Sequence, residues 1–257
     1  MGWIRDWKRK RVLQKHAIDD ALRARVFAGL PFLAGLSADE ARRIEAMAIV
    51  FLSEKELTPL RGVRISDKDR LSIALQACLP VLNLGLDWYE GWVGVLIYPG
   101  DFRVKREELD EDGVLHEWED ELSGESWSDG PVVLSWEALA QGPGVGEGGL
   151  NVVIHEFAHK LDMRSGEADG MPPLHAGMDA ARWRGALEES YAGFCDAVDR
   201  EKQTWLDPYA AESPAEFFAV ASEAFFEAPQ ELRRRYPDLF EQFVLFYRQD
   251  PALRLPA

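Results

Sequence analysis

The hydrophobic pattern of the chain is mostly helical. Ser37, followed three residues later by Glu40, has the signature of a capping box and predicts a helix over residues 37–55. A second helix is expected over residues 71–84, bent or ended by the proline within it. The C-terminal third is helical, and its most regular stretch is residues 213–229. Helices therefore account for most of the predicted structure.

The strand signals lie between the second and third of these helical regions. Residues 91–102 are strand-like and end in a Pro-Gly turn, and residues 130–136 form a further apolar run. Residues 102–122 are typical of a hairpin that turns at Asp112-Gly113. Helices flanking a few central strands predict the α+β class with a small mixed sheet.

Charge is distributed unevenly along the chain. The formal net charge is −16, yet residues 1–16 hold six basic residues and one acidic residue, a local +5 that leaves −21 for the rest. Such an acidic body repels phosphate backbones, so direct nucleic-acid binding is excluded as a main function. We interpret residues 1–16 as a basic arm, more typical of a solvated or fraying terminus than of a docking tail, and residues 17–257 as a single domain.

Cysteine content and targeting signals indicate the compartment. Cys78 and Cys195 are too few and too far apart for a disulfide scaffold, which suits a reducing cytoplasm. The N-terminus lacks the apolar segment of a secretory signal. The longest apolar run, residues 71–86, is interrupted by polar residues, proline and glycine and is too polar to span a bilayer. We therefore expect a soluble, cytoplasmic protein without a membrane partner.

Residues 151–162, NVVIHEFAHKLD, carry the strongest chemical signal. His155 and His159 stand four residues apart, with Glu156 after the first. Asn151 is a favourable N-cap and neither Gly nor Pro interrupts the segment, so a helix is expected. On a helix the two imidazoles lie one turn apart and can reach one zinc ion. Glu156 is rotated by about 100° from His155, which suits a base that holds water better than a ligand.

A glycine-rich segment upstream offers a rival interpretation. Gly144, Gly146 and Gly149 satisfy the G-x-G-x-x-G pattern of dinucleotide-binding loops. In that fold a strand should run straight into the loop, whereas residues 137–141 intervene here. We interpret the segment as a flexible loop at the rim of a cleft.

The third metal ligand is less obvious from spacing. A catalytic zinc commonly takes three protein ligands and one water. The metzincin pattern is excluded, because it requires a glycine at position 162 and a histidine at position 165, where this chain has Asp162 and Ser165. The remaining histidines show no metal-like spacing and are expected to be solvated: His16, His116 and His175.

A glutamate from the C-terminal helices is the better source of the third ligand. The candidates are Glu212, Glu216, Glu223 and Glu227. Glu216 and Glu223 lie along one edge of a strongly apolar helix face, where a carboxylate needs a partner. Glu216 has an alternative role, since it could simply close a capping box with Ser213. Spacing alone does not choose between Glu216 and Glu223.

Four segments together resemble the Mlc titration factor A family of bacterial zinc metallopeptidases. The similarity runs from about residue 30 to the C-terminus and rests on HEFAHKLDMRSG, VLNLGLDWYEGWVGVLIYPGDF, GPVVLSW and YAAESPAEFFAVASEAFFEAP. The family is similar in its catalytic core to the protease domain of anthrax lethal factor, which implies a zincin-like fold. In both, a tyrosine stands seven residues before the glutamate ligand, which corresponds here to Tyr209 and Glu216.

The resemblance implies a role for each candidate residue. It assigns Zn²⁺ binding to His155, His159 and Glu216, the base to Glu156 and oxyanion stabilisation to Tyr209. Glu223 would then lie behind the ligands and orient a histidine. From its spacing, Asp162 could accept the second N–H of His159, and a solvated acid in the last helical turn is the alternative.

The family also implies the activity and partners. Family members act as aminopeptidases on short substrates, so a peptide substrate is expected, while endopeptidase action stays open. Strand 131–135 is predicted to be the sheet edge that aligns an extended peptide. The family also binds the glucose repressor Mlc and thereby regulates phosphotransferase-system genes. The alternative is a repressor-binding protein whose zinc site is structural or vestigial.

Overall fold

The architecture is the α+β fold that the hydrophobic pattern predicts, mostly helical with a small mixed sheet. The computed structural model describes residues 2–100, 102–109, 115–122, 124–126, 130–142 and 151–255. The helices in these ranges are α1 (Gly2–Lys15), α2 (Asp20–Ala28), α3 (Ala38–Glu54), α4 (Asp67–Cys78), α5 (Trp136–Gln141), α6 (Val152–Asp162), α7 (Ala180–Asp199), α8 (Pro214–Glu227), α9 (Pro229–Arg235) and α10 (Pro237–Tyr247). The strands are β1 (Glu56–Pro59), β2 (Gly94–Tyr98), β3 (Phe102–Leu109), β4 (Leu115–Leu122), β5 (Gly124–Ser126) and β6 (Val132–Ser135).

The main sheet has the strand order β1-β2-β6-β5. Strands β1, β2 and β6 run parallel, with Val95 opposite Leu57 on one side and Val132 on the other. Strand β5 joins antiparallel to β6. All four residues of β6 are buried, because parallel strands are covered by other elements on both faces.

The position of β6 corrects the predicted sheet edge. Strand 131–135 was expected to be free on one side, but β6 pairs with β2 on one side and with β5 on the other. The edge strand next to it is therefore β5, at Gly124–Ser126. The prediction of 131–135 as the edge is wrong because β5 is only three residues long and has no alternating apolar pattern to reveal it.

The predicted hairpin is confirmed. Strands β3 and β4 pair antiparallel from Phe102 opposite Leu122 to Leu109 opposite Leu115. The predicted turn at Asp112-Gly113 lies outside the described residues, as do the glycines of the G-x-G-x-x-G match. The short helix α5 does separate β6 from that glycine segment, which agrees with the rejection of a dinucleotide loop.

Two helices begin at complete capping boxes. In α3 the Ser37 hydroxyl accepts from the Glu40 N–H while the Glu40 carboxylate accepts from the Ser37 N–H, which confirms the predicted start. Helix α4 has the same arrangement at Ser66 and Asp69, and so begins four residues before the predicted Leu71. It ends at Cys78, ahead of the proline expected to end it.

The basic N-terminal segment differs from the expected fraying terminus. Helix α1 is held by ion pairs on one side: Arg9 makes a two-pronged contact of 2.7 and 3.0 Å to Glu54, and both Arg9 and Arg5 contact Asp87 at 2.7 Å. Whether residues 1–16 act as a unit separate from 17–257 stays a prediction. No helix within the described part of the chain is long and apolar enough to cross a bilayer.

Helix α6 is anchored in the core by Phe157. The ring of Phe157 is fully buried, and its centroid lies 5.6, 5.0 and 5.7 Å from those of Phe51, Tyr89 and Trp92 respectively. Tilted and edge-on aromatic pairs of this kind add to the energy of burial itself. Because Phe157 stands between His155 and His159 in the sequence, these contacts also fix the rotation of the helix that carries both histidines.

We expect Phe157→Ala to lower the free energy of unfolding by about 3–5 kcal/mol, because the cavity left among three rings cannot close fully. Urea unfolding followed by circular dichroism measures the change. The matched control is Val93→Ala at a side chain that is 58% exposed, where a change within about 0.5 kcal/mol is expected. A loss below about 1 kcal/mol for Phe157→Ala would contradict this packing.

Candidate metal centre

Helix α6 presents the two histidines from a fully buried position. The Asn151 side chain caps it by accepting a hydrogen bond of 3.0 Å from the Ile154 N–H, and every residue from Val152 to Asp162 is buried. The expected helix and N-cap are confirmed. His155 and His159 face the same side, with ring centroids 4.8 Å apart, as their spacing of one helical turn requires.

Helix α8 delivers the glutamates. It begins at Pro214, after the N-cap Ser213, whose hydroxyl accepts from the Glu216 N–H at 3.1 Å. In α3 and α4 the acid at the third position also bonds back to the cap residue, but in α8 the Glu216 carboxylate contacts the histidines instead. The capping-box role therefore does not account for Glu216.

Three donor atoms converge on one point. The Glu216 Oε2 atom lies 3.0 Å from His155 Nε2 and 3.2 Å from His159 Nε2, and the two nitrogens are 3.2 Å apart. Ligands at about 2.0–2.1 Å from a tetrahedral ion are separated by about 3.3 Å. The triangle of donors therefore matches the size that a metal ion of this kind requires, and all three residues are candidate ligands of one ion.

The carboxylate and the imidazoles of this triangle stabilise each other's charged forms. Burial by itself would raise the pKa of Glu216, but hydrogen bonds from His155 and His159 hold it well below its ordinary value. Burial would lower the pKa of His155, and the carboxylates of Glu216 and Glu223 raise it well above its ordinary value. A cationic group at this point is thus strongly stabilised, which is also what a metal cation needs.

Glu223 lies on the opposite side of His155. Its Oε1 atom is 2.7 Å from His155 Nδ1, and its Oε2 atom accepts a hydrogen bond from the Asn151 N–H. Burial raises the pKa of this carboxyl group. A carboxylate on Nδ1 fixes the ring so that Nε2 points to the donor triangle. The structure therefore brings both competing glutamates to His155, one on each ring nitrogen.

The two other residues predicted to take part in catalysis lie beside the triangle. Glu156 is buried, 3% exposed, on the turn of α6 that holds His155. Tyr209 lies in a short 3-10 helix, Pro208–Ala211, and its ring centroid is 6.1 Å from that of His155. Tyr209 therefore lies near His155, and Glu156 is the next residue after His155 on α6.

Asp162 is not a solvated acid, since it is fully buried. Its Oδ2 atom accepts a hydrogen bond of 2.7 Å from the Gly170 N–H, and burial raises its pKa to about 6. Its other oxygen, Oδ1, and the Nδ1 atom of His159 are both buried without a hydrogen-bond partner in the described structure. The predicted bond from His159 to Asp162 is therefore not formed in this structure.

Neither His16 nor His175 belongs to the cluster of converging donors. His16 is exposed, as expected. His175 is only partly exposed: its Nε2–H donates to the Phe246 carbonyl at 2.7 Å and its ring packs against Trp88 and Phe246. The side chain of His116 lies outside the described part of the structure. His175 was misjudged because its partners come from distant segments.

Two sets of contacts near the centre were not predicted from the sequence. Asn151 joins α6 to both Glu223 and Glu227, donating from Nδ2 to Glu227 Oε1 at 2.6 Å. The signal was present, because Glu223 and Glu227 stand four residues apart on a mostly apolar helix. Lys160 was also missed: although 3% exposed, it donates to the Gly130 carbonyl at 2.9 Å and so ties α6 to the segment leading into β6.

Comparison with known proteins shows the family. Residues 4–248 match the family described as glucose-regulated metallo-peptidase M90. The Mlc titration factor A of Cronobacter sakazakii is 42% identical over 228 residues, 88% of this chain and 85% of that protein. The proteins of the same name from Salmonella arizonae and Salmonella typhi are each 41% identical over 256 residues, 97% of this chain and 98% and 92% of theirs. The chain therefore belongs to the glucose-regulated metallo-peptidase M90 family.

Proposed function

We propose that the protein is a zinc-dependent aminopeptidase that acts on short peptides in the cytoplasm. The observation that carries the proposal is the meeting of His155, His159 and Glu216 donor atoms within 3.0–3.2 Å of one another, with Glu156 on the same helix, in a chain of a metallopeptidase family. The cytoplasmic location is supported by two free cysteines, Cys78 and Cys195.

The donor set favours zinc among the metals. Two imidazole nitrogens and one carboxylate oxygen are the ligands of many catalytic zinc sites, which keep a further position for water or substrate. Structural zinc sites usually have four closed ligands and often cysteine, and neither cysteine belongs to this cluster. A purely structural or vestigial zinc is therefore the weaker alternative.

The chemistry follows from the parts. When bound here, zinc would polarise the scissile carbonyl and lower the pKa of water to about 7. Glu156 takes a proton from the attacking water molecule while the water oxygen forms a bond to the carbonyl carbon. Glu156 then returns a proton to the leaving amine when the C–N bond breaks. The buried position of Glu156 keeps other water away from this transfer.

Two further groups orient the substrate in this proposal. The Tyr209 hydroxyl donates a hydrogen bond to the oxyanion that forms at the carbonyl. The edge strand β5 takes the aligning role first expected of strand 131–135, since an extended peptide can pair with an outer strand by main-chain hydrogen bonds. An aminopeptidase also needs an anionic site for the substrate ammonium, and the acidic body offers many carboxylates for it.

Hydrolysis of two matched substrates tests the activity. We expect the zinc-loaded protein to cleave alanyl-p-nitroanilide and to lose that activity after chelation, with recovery when zinc is returned. N-acetyl-alanyl-p-nitroanilide has the same scissile bond without a free ammonium and should be cleaved poorly. Equal cleavage of both substrates would contradict the aminopeptidase assignment, and no cleavage of either, or of longer peptides, would contradict peptidase function.

We also propose that this chain binds a repressor of the Mlc type. The proposal is supported by the name Mlc titration factor A, borne by relatives that are 41–42% identical to this chain. Calorimetric titration of a purified Mlc-type repressor tests it, with the zinc-loaded protein and with the Glu156→Gln variant. Binding by both would separate this role from catalysis, whereas no binding by either would contradict it.

A further inference from the structure

We propose that Asn151 and Glu227 are positioning residues that hold Glu223, and through it His155, in the orientation required for metal binding. This inference rests on the proposed zinc-dependent function and names the residues that support its site. Neither side chain touches the donor triangle. Their influence would pass through the hydrogen bonds that connect the first turn of α6 to one face of α8.

Asn151 is the residue where these hydrogen bonds meet, and it is 2% exposed. Its backbone N–H donates to Glu223 Oε2, and its side-chain oxygen accepts from the Ile154 N–H at 3.0 Å. The side-chain nitrogen donates to Glu227 Oε1 at 2.6 Å. The Ile154 N–H needs an acceptor, which must be the side-chain oxygen of Asn151. The NH₂ group of the same side chain therefore faces Glu227, which determines the orientation of the Asn151 side-chain amide.

The consequence for the metal centre follows along the chain of contacts. Both oxygens of Glu223 are engaged, Oε1 with His155 Nδ1 at 2.7 Å and Oε2 with the Asn151 N–H. The position of that N–H depends on the Asn151 side chain, which Glu227 holds from the next turn of α8. Loss of the contact with Glu227 therefore frees the Asn151 backbone, then Glu223, and finally the His155 ring.

Helix capping alone would not require this arrangement. An N-cap needs only the acceptor oxygen, and aspartate or serine caps a helix about as well as asparagine. The donor to Glu227 is a separate property of Asn151. Asn151→Asp keeps the cap oxygen but replaces the donor with a negative oxygen facing a carboxyl group. It therefore separates the positioning role from capping.

The experiment compares Asn151→Asp, Glu227→Gln and the double variant with the wild-type protein. Zinc affinity is measured by competition with a chelator, the geometry of the site by the visible absorption of the Co²⁺-loaded protein, and function by kcat and KM for alanyl-p-nitroanilide. We expect Asn151→Asp to weaken zinc binding about tenfold and to shift the Co²⁺ spectrum. A tenfold loss is the lower end of the range seen when a residue that hydrogen-bonds to a metal ligand is replaced.

The double variant is the decisive member of the series. It reverses the hydrogen bond, because the new glutamine amide can donate to the new aspartate oxygen, so zinc binding should be tighter than in Asn151→Asp alone. Ser37→Ala is the matched control: it removes the side-chain cap of α3 at an exposed serine that pairs with Glu40, and should lower stability without changing zinc affinity. Asn151→Ser, which caps but is too short to reach Glu227, replaces Asn151→Asp if the latter does not fold, and should also weaken zinc binding.

Unchanged zinc affinity and an unchanged Co²⁺ spectrum in Asn151→Asp would overturn the inference and leave Asn151 as a cap only. A double variant no better than Asn151→Asp would overturn the pairing with Glu227. If the wild-type protein binds no zinc, the proposed function fails and this inference fails with it. Zinc binding by the wild-type protein together with equal binding by all variants rejects only the inference.

Discussion

Glu156→Gln is expected to lower kcat for alanyl-p-nitroanilide by about 10²–10⁴-fold, the usual contribution of a general acid–base group. The amide has nearly the same shape as the carboxylate but cannot take a proton from water. Zinc content should stay at the wild-type level, because Glu156 is not among the three converging donors. Parallel measurement of bound zinc and initial rate on the same samples checks both statements.

Glu167→Gln is the matched control for this experiment. It makes the same chemical change at an exposed carboxylate shortly after the end of α6, and its kcat should equal that of the wild-type protein. Retained activity in Glu156→Gln would show that another group acts as the base. Loss of zinc together with activity would show instead that Glu156 helps to hold the metal.

Glu216→Ala is expected to weaken zinc binding by more than about 100-fold and to abolish hydrolysis. This loss of affinity exceeds the range seen when a residue that only hydrogen-bonds to a metal ligand is replaced. The substitution removes the only carboxylate oxygen among the three converging atoms. It also leaves His155 and His159 without the anion that both contact. Chelator competition gives the affinity, and metal analysis after gel filtration gives the zinc bound per chain.

Ser213→Ala separates ligation from helix capping. It removes the hydroxyl that accepts from the Glu216 N–H, so it should lower stability by about 1 kcal/mol and leave the zinc affinity unchanged. If Glu216→Ala kept wild-type zinc affinity, the ligand assignment would be wrong. If both variants lost zinc equally, the start of α8, and not the carboxylate, would be the important feature.

The sequence was most informative where chemistry and local structure coincide in one segment. Asn151, His155 and His159 could be assigned to a capped helix because each depends on residues within one or two turns. The capping box of α3 was found for the same reason. The equivalent box of α4 was missed because Asp69 occupies the position where glutamate is the usual signal.

The parts that could not be predicted depend on how distant segments pack. Glu216 and Glu223 stand seven positions apart, so both lie on one edge of α8, and only the packing of α8 on α6 decides which ring nitrogen each one meets. The same holds for Asp162, which looks like a surface acid in sequence but is covered by the segment containing Gly170. Strand β5 is too short to carry a pattern.

Because the three donor atoms come from two segments that are far apart in the sequence, the supply of metal affects how long the folded protein persists. His155 and His159 come from α6 and Glu216 from α8, with about sixty residues between them, so an unfolded chain cannot hold the three atoms together. Under the proposed zinc binding, free metal at a hundred times its dissociation constant would add about 2.7 kcal/mol to the folded state. A cell short of zinc would then lose both the activity and, through faster proteolysis of unfolded chains, the protein itself.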